Sequence, residues 1–240
     1  MEGKIITITG GDCIGKETQT KLLQKALTPS VRMSAPDYDH WAGQIVRRIP
    51  YQNPFFIAGG EDPGQKLWTT QDKHPQILQL LHTINTWDKQ ETIRAGLKKH
   101  HWIMDRYIED AYAYGTVDGC SLDFLFSLNR DFLPSDLVIV MLGKGFPRPG
   151  EVQDMNEKND SFQSKVQETY IALTKFFPSW NIINVDEYKG RSINVPESVY
   201  FIHSDICFMV SKYVGHTITS LSRSQVEECV REWRNEKTTT

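Results

Sequence analysis

The most constraining stretch is residues 9–20, TGGDCIGKETQT. Gly10-x-x-x-x-Gly15-Lys16 follows an apolar, β-branched segment, Ile5–Thr9, and leads straight into a helical pattern from Glu17 to Leu27. Strand, glycine loop and helix in that order build a cradle for phosphates. The glycines let backbone N–H groups converge, and the helix N-terminus adds partial positive charge. Lys16 is the residue that such a loop sends to the β and γ phosphates of a nucleotide. A glycine-rich turn with no ligand is the plain alternative. One position is irregular: Glu17 stands where a Ser or Thr ordinarily offers a hydroxyl to magnesium. A carboxylate binds magnesium as well, but at 4 Å its repulsion with a phosphate reaches about 4 kcal/mol at an effective dielectric of 20. Glu17 is therefore either a metal ligand or turned away, with Thr18 left as the nearest hydroxyl. The repulsion favours turning away, or a role through water, over direct ligation.

Five short apolar segments read as buried strands: Ile5–Thr9, Val31–Ser34, Trp102–Met104 ending at Asp105, Leu137–Leu142 and Ile182–Val185. Helical patterns lie between them, at Glu17–Leu27, Trp41–Ile49, Gln76–Leu97, Asp123–Leu133 and Phe162–Phe177. The third places Leu78, Leu81, Ile84 and Trp87 on one stripe, and the last places Phe162, Val166, Tyr170 and Leu173 on another. Strands alternating with helices predict an α/β fold, a five-stranded parallel sheet covered by helices on both faces. Ligands in such sheets bind at the carboxyl ends of the strands, so Asp105 and Arg106 draw attention. They are also readable as a structural ion pair. Residues 54–64 and 143–150 are punctuated as loops. Val195–Tyr213 is a candidate packing helix and Ser222–Lys237 a charged amphipathic one.

The formal net charge of −3 gives no global field to attract nucleic acid or a membrane. The longest clean apolar run, Leu137–Leu142, is too short to span a bilayer. The N-terminus has no apolar core before a cleavage site, so no signal peptide is expected. Four cysteines stand far apart, which argues against a disulfide framework or a zinc site and for a reducing, cytoplasmic setting. His100-His101 reads as surface polarity rather than a metal site, since no ligand cluster accompanies it.

Past the generic loop, the sequence resembles the thymidylate kinase family. That family's loop reads G-x-D-x-x-G-K-[ST]-T-Q, against Gly10 to Gln19 with Asp12 inside. Ala35-Pro36-Asp37-Tyr38, with Gly43 beyond it, resembles F-P-R-Y. Leu80–Asn85 resembles L-L-F-x-A-N on a central helix. Asp105-Arg106-Tyr107 matches D-R-Y, and Ala113-Tyr114 follows at the family spacing. Asp154–Glu157, then Phe162, Val166 and Tyr170, resembles the lid and the helix leaving it. The resemblance runs from about residue 4 to 186.

It implies a P-loop kinase architecture: a kinase domain over 1–215 with a lid near 143–160, and a C-terminal helical extension over 216–240. It implies phosphoryl transfer from ATP, with Mg2+, to a deoxynucleoside monophosphate, dTMP first. Lys16 would serve the donor and Arg106 the acceptor phosphate or the transferring group. Asp105, with Glu17 assisting, would hold magnesium through water. Asp12 would lie near the acceptor's sugar and phosphate, Tyr38 on its phosphate, and Tyr114 on the sugar face where a 2′-hydroxyl would sit. Homodimers are common in the family. No nucleic acid or membrane partner is expected.

Several positions depart from the pattern. The arginine that reads thymine falls at Thr86, the base-stacking aromatic at His82, a small hydroxyl residue at Asp110 and the acceptor-phosphate arginine at Asp37. Arg47 or Arg48 is a substitute for the last, or a solvated surface arginine. The loop offers no catalytic arginine, leaving Lys144, Arg148 and Lys158 as lid cations. Arg148 leads, because a guanidinium bridges two phosphate oxygens. Fewer base-reading groups leave open a broad deoxynucleotide monophosphate kinase, a kinase for another small acceptor, or a catalytically weak nucleotide-binding regulator. A switch GTPase is disfavoured, since no N-K-x-D stretch is present.

Overall fold

Alternation of side chains along the strands decides which face of the sheet each residue reaches. The computed structural model describes residues 2–48, 75–144, 160–189 and 195–238. Five strands form one parallel sheet: β1 (Ile5–Gly10), β2 (Ser30–Ser34), β3 (His101–Asp105), β4 (Leu137–Leu142) and β5 (Trp180–Asn184). Their order is β2-β3-β1-β4-β5, so the glycine loop leaves the central strand. Ten helices accompany them among the described residues: α1 (Lys16–Ala26), α2 (Trp41–Arg48), α3 (Pro75–Trp87), α4 (Gln90–Gly96), α5 (Ile108–Val117), α6 (Leu122–Asn129), α7 (Asp160–Thr174), α8 (Val185–Lys189), α9 (Val195–Val214) and α10 (Arg223–Thr238).

Every residue of β1 and β4 is buried, as expected of strands covered on both faces. Ile6, Ile8, Ile103 and Ile139 pack on Leu23 and Leu27 of α1 and Ile202, Ile206 and Val210 of α9. Ile5, Trp102, Met104 and Val138 face the other way, onto Ile108 and Tyr112 of α5 and Val166 and Tyr170 of α7. Val226, Cys229 and Val230 seat α10 on Leu22 of α1 and Val199 of α9.

The structure corrects four expectations. The helix over Gln76–Leu97 is two helices, α3 and α4, with a turn at Asp88 and Lys89. There the Lys89 N–H reaches back only to the Thr86 carbonyl, 3.2 Å away, and its side chain is drawn to Asp37. The stripe on α3 is not its buried face either: Ile84 and Trp87 are 41% and 53% exposed, while Gln79 and Asn85 are buried. Asn85 faces inward because it holds a neighbouring loop, as described below. The last strand starts at Trp180 and stops at Asn184, and Val185 opens α8. His101 is buried rather than on the surface, and its Nδ1 accepts the Lys4 N–H at 3.0 Å.

Two helices, α5 and the short α8, had no sequence signal. In α5, Glu109 is buried beside Ile108 and Tyr112, so an acid interrupts the apolar period. The loop over 54–64, and Lys158, Asp154, Glu157 and Arg148 of the lid, lie outside the described residues.

Candidate active site

The glycine loop is shaped by contact with the next strand. Gly10 has φ +123, and a Cβ there would stand 1.9 Å from the Met141 carbonyl oxygen, so both the conformation and the close approach require glycine. The Gly11 N–H donates to that same carbonyl at 3.2 Å. Gly15, at φ +91, caps α1. Lys16 opens the helix, is buried, and donates from Nζ to the Gly11 carbonyl. Its Nζ stands 3.9 Å from Asp12 Oδ1. Burial, and then the like charge of Arg106, push its ammonium down to about 8. Glu17 lies in the first turn of α1 with Oε1 2.9 Å from Lys21 Nζ, and Thr18 beside it is half-buried.

Asp105 and Arg106 do not pair with each other. Asp105 ends β3 opposite Ile8 and so points to the α1 side. Arg106 has a left-handed φ of 65 and turns toward α5. A non-glycine residue held there stores strain, and such strain is concentrated at functional sites. The guanidinium of Arg106 is clamped by two carboxylates, Nη2 on Asp12 and Nη1 on Asp110. Asp110 is itself fixed, because Tyr170 Oη donates to its Oδ1 at 2.8 Å and Thr9 Oγ1 donates to the same atom. Thr9 and Tyr170 hydroxyls are 2.7 Å apart. Gln163 of α7 completes the frame: its Nε2 donates to Asp12 Oδ2 at 2.7 Å, and its Oε1 accepts the Asp12 N–H at 3.2 Å.

Burial works against the charge on Asp12, but Arg106 and Lys16 outweigh it and hold the carboxyl below its ordinary range. Burial likewise opposes the charge of Arg106, and the neighbouring Tyr114, Asp110 and Asp12 more than restore it. The Arg106 guanidinium lies 5.3 Å from the centre of the Tyr114 ring, and Tyr114 Oη donates to the Gly10 carbonyl at 3.4 Å.

On the other side, Asp105 Oδ2 receives Arg32 Nη2 from β2, and Thr20 Oγ1 lies 3.5 Å away. Both contacts fall on Oδ2, leaving Oδ1 for a water or a cation. No group of three or more His, Cys, Asp or Glu capable of holding a metal occurs among the described residues. Magnesium takes one or two carboxylates plus substrate phosphates and keeps its waters. Asp105 and Glu17, with the hydroxyl of Thr18, are oxygen donors of that kind.

The acceptor-side residues divide. His82 on α3 lies within reach of the charges of Asp110 and Arg106, and desolvation lowers its imidazole to about 4, so the ring is neutral near pH 7. Thr86 donates its hydroxyl to the His82 carbonyl at 3.1 Å, within its own helix. Tyr38 is 46% exposed at the end of its loop. Asp37 forms an ion pair with Lys89 at 2.9 Å. Asn85 pins that loop from both sides, accepting the Asp37 N–H at 2.7 Å and donating to the Asp37 carbonyl at 2.9 Å. Gly43 allows the same approach, since a Cβ there would stand 1.9 Å from the Asp37 carbonyl oxygen. The side chains of Arg47 and Arg48, and all of Arg148, lie outside what is described. Lys144 is exposed, and its N–H donates to Asp186 Oδ2 at 2.9 Å.

The structure thus gathers Gly10, Asp12, Gly15, Lys16, His82, Asp105, Arg106 and Tyr114 at the carboxyl ends of β1 and β3. Arg32, Thr9, Gln163 and Lys89 went unseen in the sequence.

No family model matches the chain. It is 28% identical over 209 residues to a probable thymidylate kinase of Methanocaldococcus jannaschii, spanning 86% of this chain and 95% of that one. With a probable thymidylate kinase of Thermococcus onnurineus it shares 27% identity over 220 residues, 85% and 96% of the two chains. Among solved structures, the thymidylate kinase of Candida albicans superposes with a TM-score of 0.70 at 20% identity, over 92% of this chain and 96% of that one. The fold is therefore that of these kinases.

Proposed function

We propose that this chain is a divergent thymidylate kinase, which moves the γ-phosphoryl group of ATP onto the phosphate of a deoxynucleoside monophosphate, dTMP first. The observation that carries this reading is the meeting of Lys16 and Arg106 at one carboxylate, Asp12 Oδ1. A donor-side cation and an acceptor-side cation within reach of one atom are what transfer between two phosphates needs, since such catalysis is mostly positioning and charge neutralisation.

Lys16 exchanges the Gly11 carbonyl for the β and γ phosphates. Arg106 takes the acceptor phosphate, whose oxygen attacks the γ phosphorus as the bond to the β-bridging oxygen breaks. Asp12 and Asp110 hold Arg106 in line, and Tyr114 presses on the sugar. The neutral ring of His82 supports stacking on the base in place of the family's aromatic. Asp105, with Glu17 assisting through water, would hold magnesium, and the ion would supply positive charge beside the β and γ phosphates. Arg148 is the lid cation of this reading.

The enzyme is cytoplasmic in this reading; no helix among the described residues is long and apolar enough to cross a membrane. A homodimer is supported by the exposed apolar side chains of α3, Ile77, Leu80, Ile84 and Trp87.

A coupled assay with dTMP, dUMP, dCMP, dAMP and dGMP tests the reading. Turnover highest with dTMP is expected. ATP binding without turnover of any monophosphate would sink it and leave a nucleotide-binding regulator. Equal turnover of all five would leave the broad-specificity kinase.

A further inference from the structure

Arg32 joins the two elements that carry the metal-side carboxylates. It enters from β2, the edge strand, two residues before Ser34, which stands opposite Asp105. Its guanidinium is a fork: Nη2 donates to Asp105 Oδ2, and Nε donates to Thr20 Oγ1 at 2.8 Å. Thr20 is fully buried and donates its own hydroxyl to the Glu17 carbonyl at 2.9 Å. One side chain therefore ties the carboxyl end of β3 to the first turn of α1. Arg32 and Asp105 are both largely covered, so their charges are poorly screened by water.

The geometry points to Arg32 as a positioning residue that sets how strongly Asp105 holds the magnesium ion accompanying the nucleotide. This rests on the kinase reading above. Two physical effects act together. Committing Oδ2 to the guanidinium leaves Oδ1 as the oxygen presented to the metal's water shell, and only a planar fork serves Asp105 and Thr20 at once. The positive charge beside the carboxylate also weakens its pull on a dication, because Coulomb terms at these distances are large in a partly buried site. A residue that merely fastened β2 to α1 would alter melting and leave metal affinity where it was.

The test is an electron paramagnetic resonance titration of Mn2+ into the protein–ADP complex, with melting temperature measured in parallel. Arg32→Gln is expected to tighten Mn2+ binding by about tenfold, as its carboxylate partner loses a counter-charge. In an Asp105→Asn background the same change is expected to shift it by less than about threefold, because the coupled partner is gone. Unmoved Mn2+ affinity in Arg32→Gln, or an undiminished shift in the Asp105→Asn background, overturns the proposal.

Should Arg32→Gln not fold, Arg32→Lys decides. The ammonium keeps the charge but cannot serve both partners. Mn2+ affinity within about twofold of wild type is expected, with kcat at saturating Mg2+ down by about tenfold. Wild-type kcat in Arg32→Lys overturns the proposal. Failure of the wild-type protein to bind ADP would instead overturn the kinase reading, and this inference with it.

Discussion

Replacing Glu109 by Gln is expected to stabilise the protein, and increasingly so as pH rises. Glu109 sits in the first turn of α5, directly before Asp110, and is 3% exposed. Its Oε2 has no hydrogen-bond partner among the described residues. Burial raises its carboxyl from 4.5 to about 7, against the opposing hydrogen bond from Ser135. The folded value lies above the unfolded one, so the stability due to this group is complete below pH 4.5 and is lost as pH rises through 7. At 1.36 kcal/mol per pH unit, the loss by pH 8 is about 3 kcal/mol. That is a large share of a domain's usual stability of about 5–15 kcal/mol.

Gln keeps the shape and never ionises. Urea denaturation of both proteins from pH 4 to pH 8 should show a variant advantage near zero at pH 4, growing to about 3 kcal/mol at pH 8. His82, lowered to about 4, makes both proteins lose stability as pH falls from 6.5. It is common to both and cancels in the difference. Parallel pH profiles for variant and wild type would refute the reasoning.

Lys16→Ala and Arg106→Ala should each remove most of the transferase activity in the coupled assay, and a near-normal rate with normal acceptor KM in Arg106→Ala would show its role misassigned. Glu17→Ser should be tolerated or improve the Mg2+ dependence of turnover, since Glu17 already pairs with Lys21; loss of activity with an intact circular dichroism spectrum would show that its carboxylate is needed. Asn85→Ala removes both bonds that hold the Asp37 loop, at a cost of about 2 kcal/mol in denaturant titrations, and should raise acceptor KM more than it lowers kcat.

What was legible in the sequence was whatever local chemistry alone decides. The glycine loop, its strand and its helix were readable because Gly10, Gly15 and Lys16 are needed at fixed spacing. The sheet was readable because buried parallel strands are continuous apolar runs. The break between α3 and α4 was not, because it follows from Lys89 reaching across to Asp37, a partner 52 positions away by the difference of their numbers. Helix α5 hid behind Glu109, whose burial contradicts the rule that acids mark the solvent side. Arg32 was silent for a related reason: in a short strand, a lone arginine has no periodicity to announce that a carboxylate waits on the adjoining strand.

The charges around the reacting centre cancel in advance. Lys16, Arg32 and Arg106 are answered by Asp12, Asp105 and Asp110, and no long-range field survives from these six. In the proposed reaction an arriving phosphate would meet cations already partnered, and its binding would be an exchange of one anion for another at Arg106 and Lys16. Association guided by such a site depends little on ionic strength. Selectivity then comes from which anion fits the fork better than a fixed carboxylate, so recognition works by competition inside the site.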